Sequence, residues 1–310
     1  MKNKHLSNLT AIGLALLVTF LWSTSFVIIK IGLDEIPPLT FAGLRYTIAF
    51  AALLPLAFRK ETKLEIKQLQ KSDWLKLTLL GLTFYTFTQG AQFFGLSLLP
   101  AVTVSLLLNF TPIVVAVMGI FILSERPTIL QWIGSISFLV GVIVYFYPVV
   151  LSADQSLGLI IMGIGVLANA GSAVIGRDVN RNANLSPVTI TVVSMGIGGI
   201  LLLITGISTQ GLPAISFSNL LYLLWLAVIN TAFAFTLWNL TLRTLTAMES
   251  SIINGTMLIQ IAILAWIFLG EAITMKESIG MLIAAAGAVL VQIKFKRRDK
   301  FTSTHRKSDK

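Results

Sequence analysis

The sequence has no cysteine, and its two histidines, His5 and His305, sit in the terminal segments. The first absence excludes disulfides, thiolate metal sites and thiol nucleophiles. The second leaves no histidine for a proton relay through the body of the chain. Charge is scarce: Asp, Glu, Lys and Arg make up 12% of the 310 residues, whereas a soluble globular domain carries about 25%. A water-soluble fold is therefore disfavoured. With 55% hydrophobic residues and a mean hydropathy of +0.87, disorder is excluded too, because it needs low hydrophobicity and high charge. No G-x-x-x-x-G-K-[ST] phosphate loop occurs, so nothing supports ATP-driven work.

What is present is a series of long charge-free windows: 11–29, 46–58, 77–124, 127–153, 155–176, 182–242, 250–270 and 278–293. A membrane-spanning helix needs about 20 apolar residues to cross a hydrocarbon core about 30 Å thick. Windows 77–124 and 182–242, of 48 and 61 residues, each hold two such helices, with turns marked by Pro100 and by Thr209–Pro213. Window 46–58 reaches spanning length only if Pro38–Leu44 extends it and Arg45 lies inside. The total is ten predicted spans. Runs such as Ile12–Phe20 and Ile113–Leu123 lack the apolar–polar alternation of a barrel strand, so the fold class is all-α integral membrane. Residues 11–31 exceed a signal-peptide core, and nine spans follow them.

The basic balance, a net charge of +10, reads as topology. With the N-terminus cytoplasmic, twenty Lys and Arg residues fall on the cytoplasmic side, eight of them in the tail after Ile293. Only Lys30, Arg45 and Lys276 fall at or near the other face. That is the positive-inside pattern of a multi-pass cell-membrane protein with both termini cytoplasmic. No basic reading surface for nucleic acid appears. The basic tail, 294–310, suits contact with anionic lipid.

The chain also repeats itself. Shifted by 146 residues, 96–141 falls on 242–287 without a gap and with 12 identities in 46 positions. These include Glu125/Glu271, Thr128/Thr274, Gly134/Gly280 and Gly141/Gly287. Each repeat holds five spans. Five is odd, so the second half runs upside down relative to the first, as in transporters whose halves rock about a central site.

The motifs, in order, are Leu21-Trp22-Ser23-Thr24-Ser25-Phe26 with Lys30, then Pro37-Pro38-Leu39-Thr40-Phe41 with Leu44-Arg45-Tyr46. Pro100-Ala101-Val102-Thr103-Val104-Ser105, Leu123-Ser124-Glu125-Arg126, Gln131-Trp132-Ile133-Gly134 and Leu269-Gly270-Glu271 follow. This series resembles the EamA family of the drug/metabolite transporter superfamily over about residues 10–293. The resemblance implies one repeat at 10–148 (spans 1–5) and a second at 155–293 (spans 6–10), enclosing a central cavity. It also implies export of amino acids or other small metabolites. Leu258 stands where the repeat equates it with Pro112, which argues against a pair of proline kinks, and Glu249 enters span 9 where the family carries a small residue.

Read at helical spacing, several spans carry a polar or aromatic stripe. Span 1 has Trp22 and Ser25; span 3 has Tyr85, Gln89 and Gln92; span 4 has Ser105 and Asn109. Span 6 has Asn169 and Ser172; span 8 has Asn230 and Trp238; span 9 has Asn254 and Gln260. Amides facing lipid are costly, so these faces are expected to point inward. There they would either line a wet cavity for a small zwitterion or amphiphile or bond helix to helix. Arg45 lies about 10 Å into span 2. It is expected to snorkel or to pair with Asp34 or Glu35, or else to contact a substrate carboxylate. Glu249 is the one acid placed to couple a proton. Glu125 and Glu271 are expected to fix tight turns, and Thr274-x-x-Glu277 and Ser186-Pro187 to start helices.

These features predict a secondary transporter working by alternating access on a small molecule, with no cofactor and no metal. Drug efflux or metabolite uptake are the nearest alternatives. A channel would want pore-lining rings, and an intramembrane enzyme would want clustered acids, histidines or a metal site. The oligomeric state is left open, with a monomer sufficient.

Overall fold

The computed structural model describes residues 7–111, 113–115, 117–118, 128–148, 152–182, 185–241, 244 and 253–292. Pro112, Glu125, Glu249 and the 294–310 tail lie outside the described residues.

All the elements among the described residues are helical. They are α1 (Asn8–Gly32), α2 (Pro38–Ala57), a short polar α3 (Lys60–Gln68), and α4, which runs as α-helix over Lys71–Leu80, π-helix over Gly81–Gln89 and α-helix again over Gly90–Leu98. Then come α5 (Ala101–Leu108), α6 (Ile129–Phe146), α7 (Ala153–Asn182) and α8 (Pro187–Gln210). The last three are α9 (Phe217–Ala227, π-helical Val228–Phe233, then Ala234–Thr241), α10 (Met257–Leu269) and α11 (Met275–Gln292). Four helices are long and apolar enough to cross a bilayer: Asn8–Gly32, Pro38–Ala57, Ala153–Gly176 and Val188–Gln210. Shorter apolar helices cover Ala101–Val115, Trp132–Phe146, Phe217–Phe233 and Ile253–Leu269. Large apolar side chains such as Ile143, Ile164, Trp266 and Phe268 are exposed on the outside, as expected of a surface that meets lipid.

Glycine sets the tightest packing. A Cβ on Gly141 of α6 would lie 2.3 Å from the Ala284 amide nitrogen of α11 and 2.6 Å from the Gly280 carbonyl oxygen. One on Gly287 would lie 2.4 Å from the Phe138 amide nitrogen. The α6–α11 seam is thus backbone against backbone, as small-residue seams permit. Seams of the same kind join α2 to α8, where Gly206 meets the Thr40 backbone and Gly199 meets Tyr46.

The helix contacts come in matched pairs. The α6–α11 and α2–α8 pairs each exchange partners, while α1 packs on α9 and α10 as α7 packs on α4 and α5. Shifted by 146 residues, the π-helical Gly81–Gln89 falls on 227–235, which contains the π-helical Val228–Phe233. Helix interruptions match as well. α5 stops at Leu108, with a turn at Asn109 and Phe110, where Pro112 has no N–H to offer the Leu108 carbonyl. The helical turn Ile253–Gly255 breaks at Thr256 before α10. The absence of a second proline therefore does not remove the second break. There the Thr256 hydroxyl donates to the Ile253 carbonyl at 2.6 Å, and Gly255 lowers helix propensity.

Carboxylates hold the helix ends from outside. Glu65 of α3 accepts the N–H of Ser186 at 3.0 Å and its hydroxyl at 2.7 Å, at the start of α8. Glu35 accepts the Ser216 N–H at 3.2 Å at the start of α9. The expected Ser186-Pro187 start is present, with Ser186 accepting from the Thr189 N–H. So is the Thr274–Glu277 capping box, where Glu277 accepts the Thr274 N–H at 2.7 Å.

Candidate functional site

Where α1, α2 and the π-helical part of α9 meet, the structure gathers a polar cluster in an apolar interior. A π-helical stretch replaces the i−4 bond by an i−5 bond and re-aims the side chains on it, and such stretches recur at functional sites. Here it presents Asn230 and Thr231. The Thr231 hydroxyl donates to the Leu226 carbonyl five residues back, at 2.8 Å. Its oxygen also accepts from Arg45 Nε at 2.9 Å. Asn230 Nδ2 donates to three groups on α1: the Leu21 carbonyl at 2.6 Å, Ser25 Oγ at 2.8 Å and Thr24 Oγ1 at 3.1 Å. The Asn230 Oδ1 atom is buried without a partner, as is Trp22 Nε1.

Arg45 departs from expectation. It neither snorkels nor pairs with Asp34 or Glu35: it is only 4% exposed, and Glu35 is engaged at the start of α9. The approach of α2 to α9 directs the guanidinium inward instead. Besides Thr231, it reaches Ser25 Oγ at a long 3.5 Å. Its carbon stands 5.4 Å from the Tyr46 ring centroid and 5.9 Å from that of Phe93. A desolvated cation–π contact is worth about 2 kcal/mol, well short of a counter-charge. Among the described residues no carboxylate pairs with it.

Aromatic rings extend the cluster. Trp238 and Phe235 lie 5.2 and 5.3 Å from Trp22. Phe84 lies 6.2 Å from Phe235 and 4.9 Å from Tyr85, which lies 5.4 Å from Tyr46. A chain of rings therefore runs from the α1–α9 contact to Arg45.

Of the residues singled out from sequence, Trp22, Ser25, Arg45, Asn230 and Trp238 come together, with Tyr85 joined through the rings. Gln89 and Gln92 of α4 are each 9% exposed and make no hydrogen bond among the described residues. Asn109 donates to the Ser105 carbonyl within its own chain turn, at 2.8 Å. Asn169 donates to Thr111 Oγ1 at 3.1 Å, joining α7 to the α5 segment. Asn254 is exposed, and Glu249 lies outside the described residues. Gln260 acts as interhelical glue: its Oε1 accepts from Ser23 Oγ at 2.9 Å and its Nε2 donates to Thr256 Oγ1 at 3.0 Å. Sequence reasoning missed Thr231, Tyr46, Phe84, Phe93 and Phe235. Arg45 was the available signal, since a cation inside a span demands partners. The π-helical re-aiming of Thr231 left no trace in residue spacing.

The profile of the EamA-like transporter family matches residues 9–147 and again 156–293. The chain belongs to the EamA-like transporter family. Its relatives in this family are transporters, not enzymes. The chain is 30% identical over 297 residues to the uncharacterized transporter YvbV of Bacillus subtilis (strain 168), covering 93% of this chain and 92% of that one. It is 27% identical over 302 residues to a "Probable amino-acid metabolite efflux pump" of Salmonella typhimurium, covering 92% and 95%. It is 25% identical over 276 residues to the S-adenosylmethionine/S-adenosylhomocysteine transporter of Chlamydia trachomatis serovar L2, covering 84% and 83%. A solved crystal structure superposes with a TM-score of 0.66 at 16% identity, over 91% of this chain and 97% of that one, which shows the shared fold.

This EamA chain carries a second ionic feature at one end. α10 closes on Gly270, whose φ of 66° is left-handed, and the next residue, Glu271, turns toward α5. Glu271 Oε1 accepts the Ala101 N–H at 2.9 Å and Oε2 the Val102 N–H at a long 3.5 Å. Lys30 Nζ stands 3.2 Å from Glu271 Oε1 and donates to the Leu99 carbonyl at 2.6 Å. The expected turn-fixing glutamate thus ties the ends of α1, α5 and α10 together.

Proposed function

We propose that this chain is a secondary transporter that exports a small metabolite of the amino-acid class by alternating access. In this reading it crosses the cell membrane ten times as two inverted five-helix repeats, 10–148 and 155–293, with both termini cytoplasmic and one copy sufficient. The family profile matching twice and the exchange of helix contacts between the halves support the repeat. The twenty-to-three distribution of Lys and Arg supports the orientation.

The polar cluster of Ser25, Arg45, Asn230 and Thr231 carries the substrate reading. It lies where α1 and α2 of the first half meet α9 of the second, flanked by rings, so a rocking of one half on the other would change access to it. The name of the Salmonella relative supports efflux and an amino-acid-like cargo. The Lys30–Glu271–Ala101 tie is, in this reading, the closed gate on the outer side. Orientation is tested by reporter fusions: a fusion after residue 154 should read periplasmic and one after residue 181 cytoplasmic, and the opposite pair ends the proposal. Function is tested by counterflow of radiolabelled amino acids in proteoliposomes. Saturable exchange that Asn230→Leu abolishes at equal protein level supports a carrier. Unsaturable flux would indicate a channel.

A further inference from the structure

We infer that Arg45 is the substrate-binding cation of this transporter, and that its cargo carries a carboxylate. The inference rests on the export reading above and names the substrate class at that site.

A guanidinium has five N–H donors and no acceptor. In this structure Nε is bonded to Thr231 and one Nη2 donor reaches toward Ser25. The Nη1 group has no partner among the described residues. Nor is it among the unpartnered polar atoms sealed from solvent, which are Trp22 Nε1, Thr47 Oγ1, Asn219 Oδ1 and Asn230 Oδ1. It therefore keeps a trace of accessible surface, in a side chain only 4% exposed. A cation held inside a membrane span is expensive, and such residues mark substrate or ion pathways. The neutral neighbours of Arg45 fix its position without cancelling its charge. Thr231 and Ser25 hold one edge of the planar group, and the Tyr46 and Phe93 rings flank it. The free edge is a fork of parallel donors, the geometry that takes a carboxylate through two hydrogen bonds.

Among the described residues no carboxylate is paired with that fork. Glu35, Glu65 and Glu271 are each committed to the start of another helix. A second atom points to a ligand as well. Asn230 Oδ1 is a buried acceptor without a donor, and its own Nδ2 shares Ser25 Oγ with Arg45. An orphaned acceptor in such a place is explained by a missing partner, and the ammonium of an amino acid supplies three donors of the required kind. Donor fork and orphan acceptor, bridged by one serine, suit a zwitterion, while the ring chain offers an apolar wall for its side chain.

The test uses the full chain in proteoliposomes. Counterflow of labelled leucine, phenylalanine and threonine is measured, with unlabelled methyl esters of the same amino acids as competitors, for the wild type, Arg45→Lys and Arg45→Gln. The wild type alone gives the first readout: the ester, which keeps the ammonium and side chain, should compete about 30-fold more weakly than the acid. Arg45→Lys keeps the charge but not the fork and should raise KM by about 10-fold or more. Arg45→Gln should lose transport of the acid while ester binding changes by less than about 3-fold. Equal competition by acid and ester in the wild type overturns the inference, as does a folded Arg45→Gln with an unchanged KM for the acid. If the wild type exchanges amines or neutral amphiphiles but no carboxylate, the inference fails and the transporter reading stands. If none of these solutes exchanges, the amino-acid export reading fails and the inference falls with it.

Discussion

Removing the Glu271 side chain should loosen one end of the molecule by an amount that can be worked from its contacts. Its strongest bond is the 2.9 Å hydrogen bond from the Ala101 N–H, in which the acceptor is ionised and the donor is a first-turn amide of α5. Pro100 precedes that helix and supplies no side-chain cap, so the carboxylate satisfies a donor that would otherwise be orphaned. A hydrogen bond to a charged group contributes about 1.5–3 kcal/mol. The attraction of an anion to a helix N-terminus, about 0.3–1 kcal/mol, is largely the same interaction and is not added. The Val102 N–H at 3.5 Å is too long to count fully. The pair with Lys30, whose side chain is 29% exposed and that of Glu271 15%, adds about 0–1 kcal/mol.

Glu271→Ala should therefore cost about 2–3 kcal/mol. Glu271→Gln keeps an acceptor but not the charge and should cost about half of that. Combining each variant with Lys30→Met should show a coupling of about 0.5–1 kcal/mol, because the two side chains are in contact. The assay is thermal unfolding in one detergent at one scan rate, since unfolding of such proteins is often irreversible. At about 2–4 °C per kcal/mol, Glu271→Ala should lower Tm by about 4–12 °C. A Tm within about 1 °C of the wild type would refute the capping role, and additivity with Lys30→Met would refute the pair.

Two further outcomes follow from packing and from pH. Gly141→Val places side-chain atoms where the α11 backbone already stands, 2.3 Å from a Cβ position, and should cost at least about 1–3 kcal/mol; unchanged Tm and expression would show that α6 and α11 do not meet there. Burial pushes the Glu65 carboxyl up, but hydrogen bonds from Thr189 and from the hydroxyl and N–H of Ser186 outweigh this and lower its pKa below the usual value. Its stabilising effect is then present above the unfolded pKa of about 4.3 and is lost as pH falls through the lower folded value. Glu65→Gln should flatten the acid-side fall in Tm, and an identical acid profile in the variant would show that the α3–α8 contact contributes nothing.

The helical class and most helix positions were legible because they follow from charge-free length and turn residues, and the family was legible because the ordered motifs resemble it. The Gly134/Gly280 and Gly141/Gly287 identities fall where α6 meets α11. The site was legible only in part. Trp22, Ser25, Asn230 and Trp238 stood out as polar or aromatic groups at helical spacing, and the structure brings them together. Arg45 stood out as an intramembrane charge, but its partners did not, because Thr231 faces it only through a π-helical turn and hydropathy does not report an i−5 bond. Glu271 was read as a local turn because its contact with Ala101 joins residues 170 positions apart. Spacing within one helix carries no information about such a pair.

One constraint organises the carboxylates that tie one helix to another. A carboxylate in hydrocarbon is costly, whereas at a helix N-terminus it meets unsatisfied amides and a favourable dipole. Glu35, Glu65 and Glu271 each cap a helix that begins elsewhere in the sequence, so the acids serve as ties between loops and helix ends. Among the described residues, the interior is left with Arg45 and neutral partners. On the proposed alternating-access reading, opening the end tied by Glu271 would break its hydrogen bond to α5 and its ion pair with Lys30 together. Those losses are of the same order as the gain from seating one carboxylate on a buried guanidinium, about 1.5–3 kcal/mol for each charged hydrogen bond. On that reading, opening without cargo would be the costlier path. A carrier with an acid already beside Arg45 would have no such difference to exploit, and the same geometry would conduct its cycle empty.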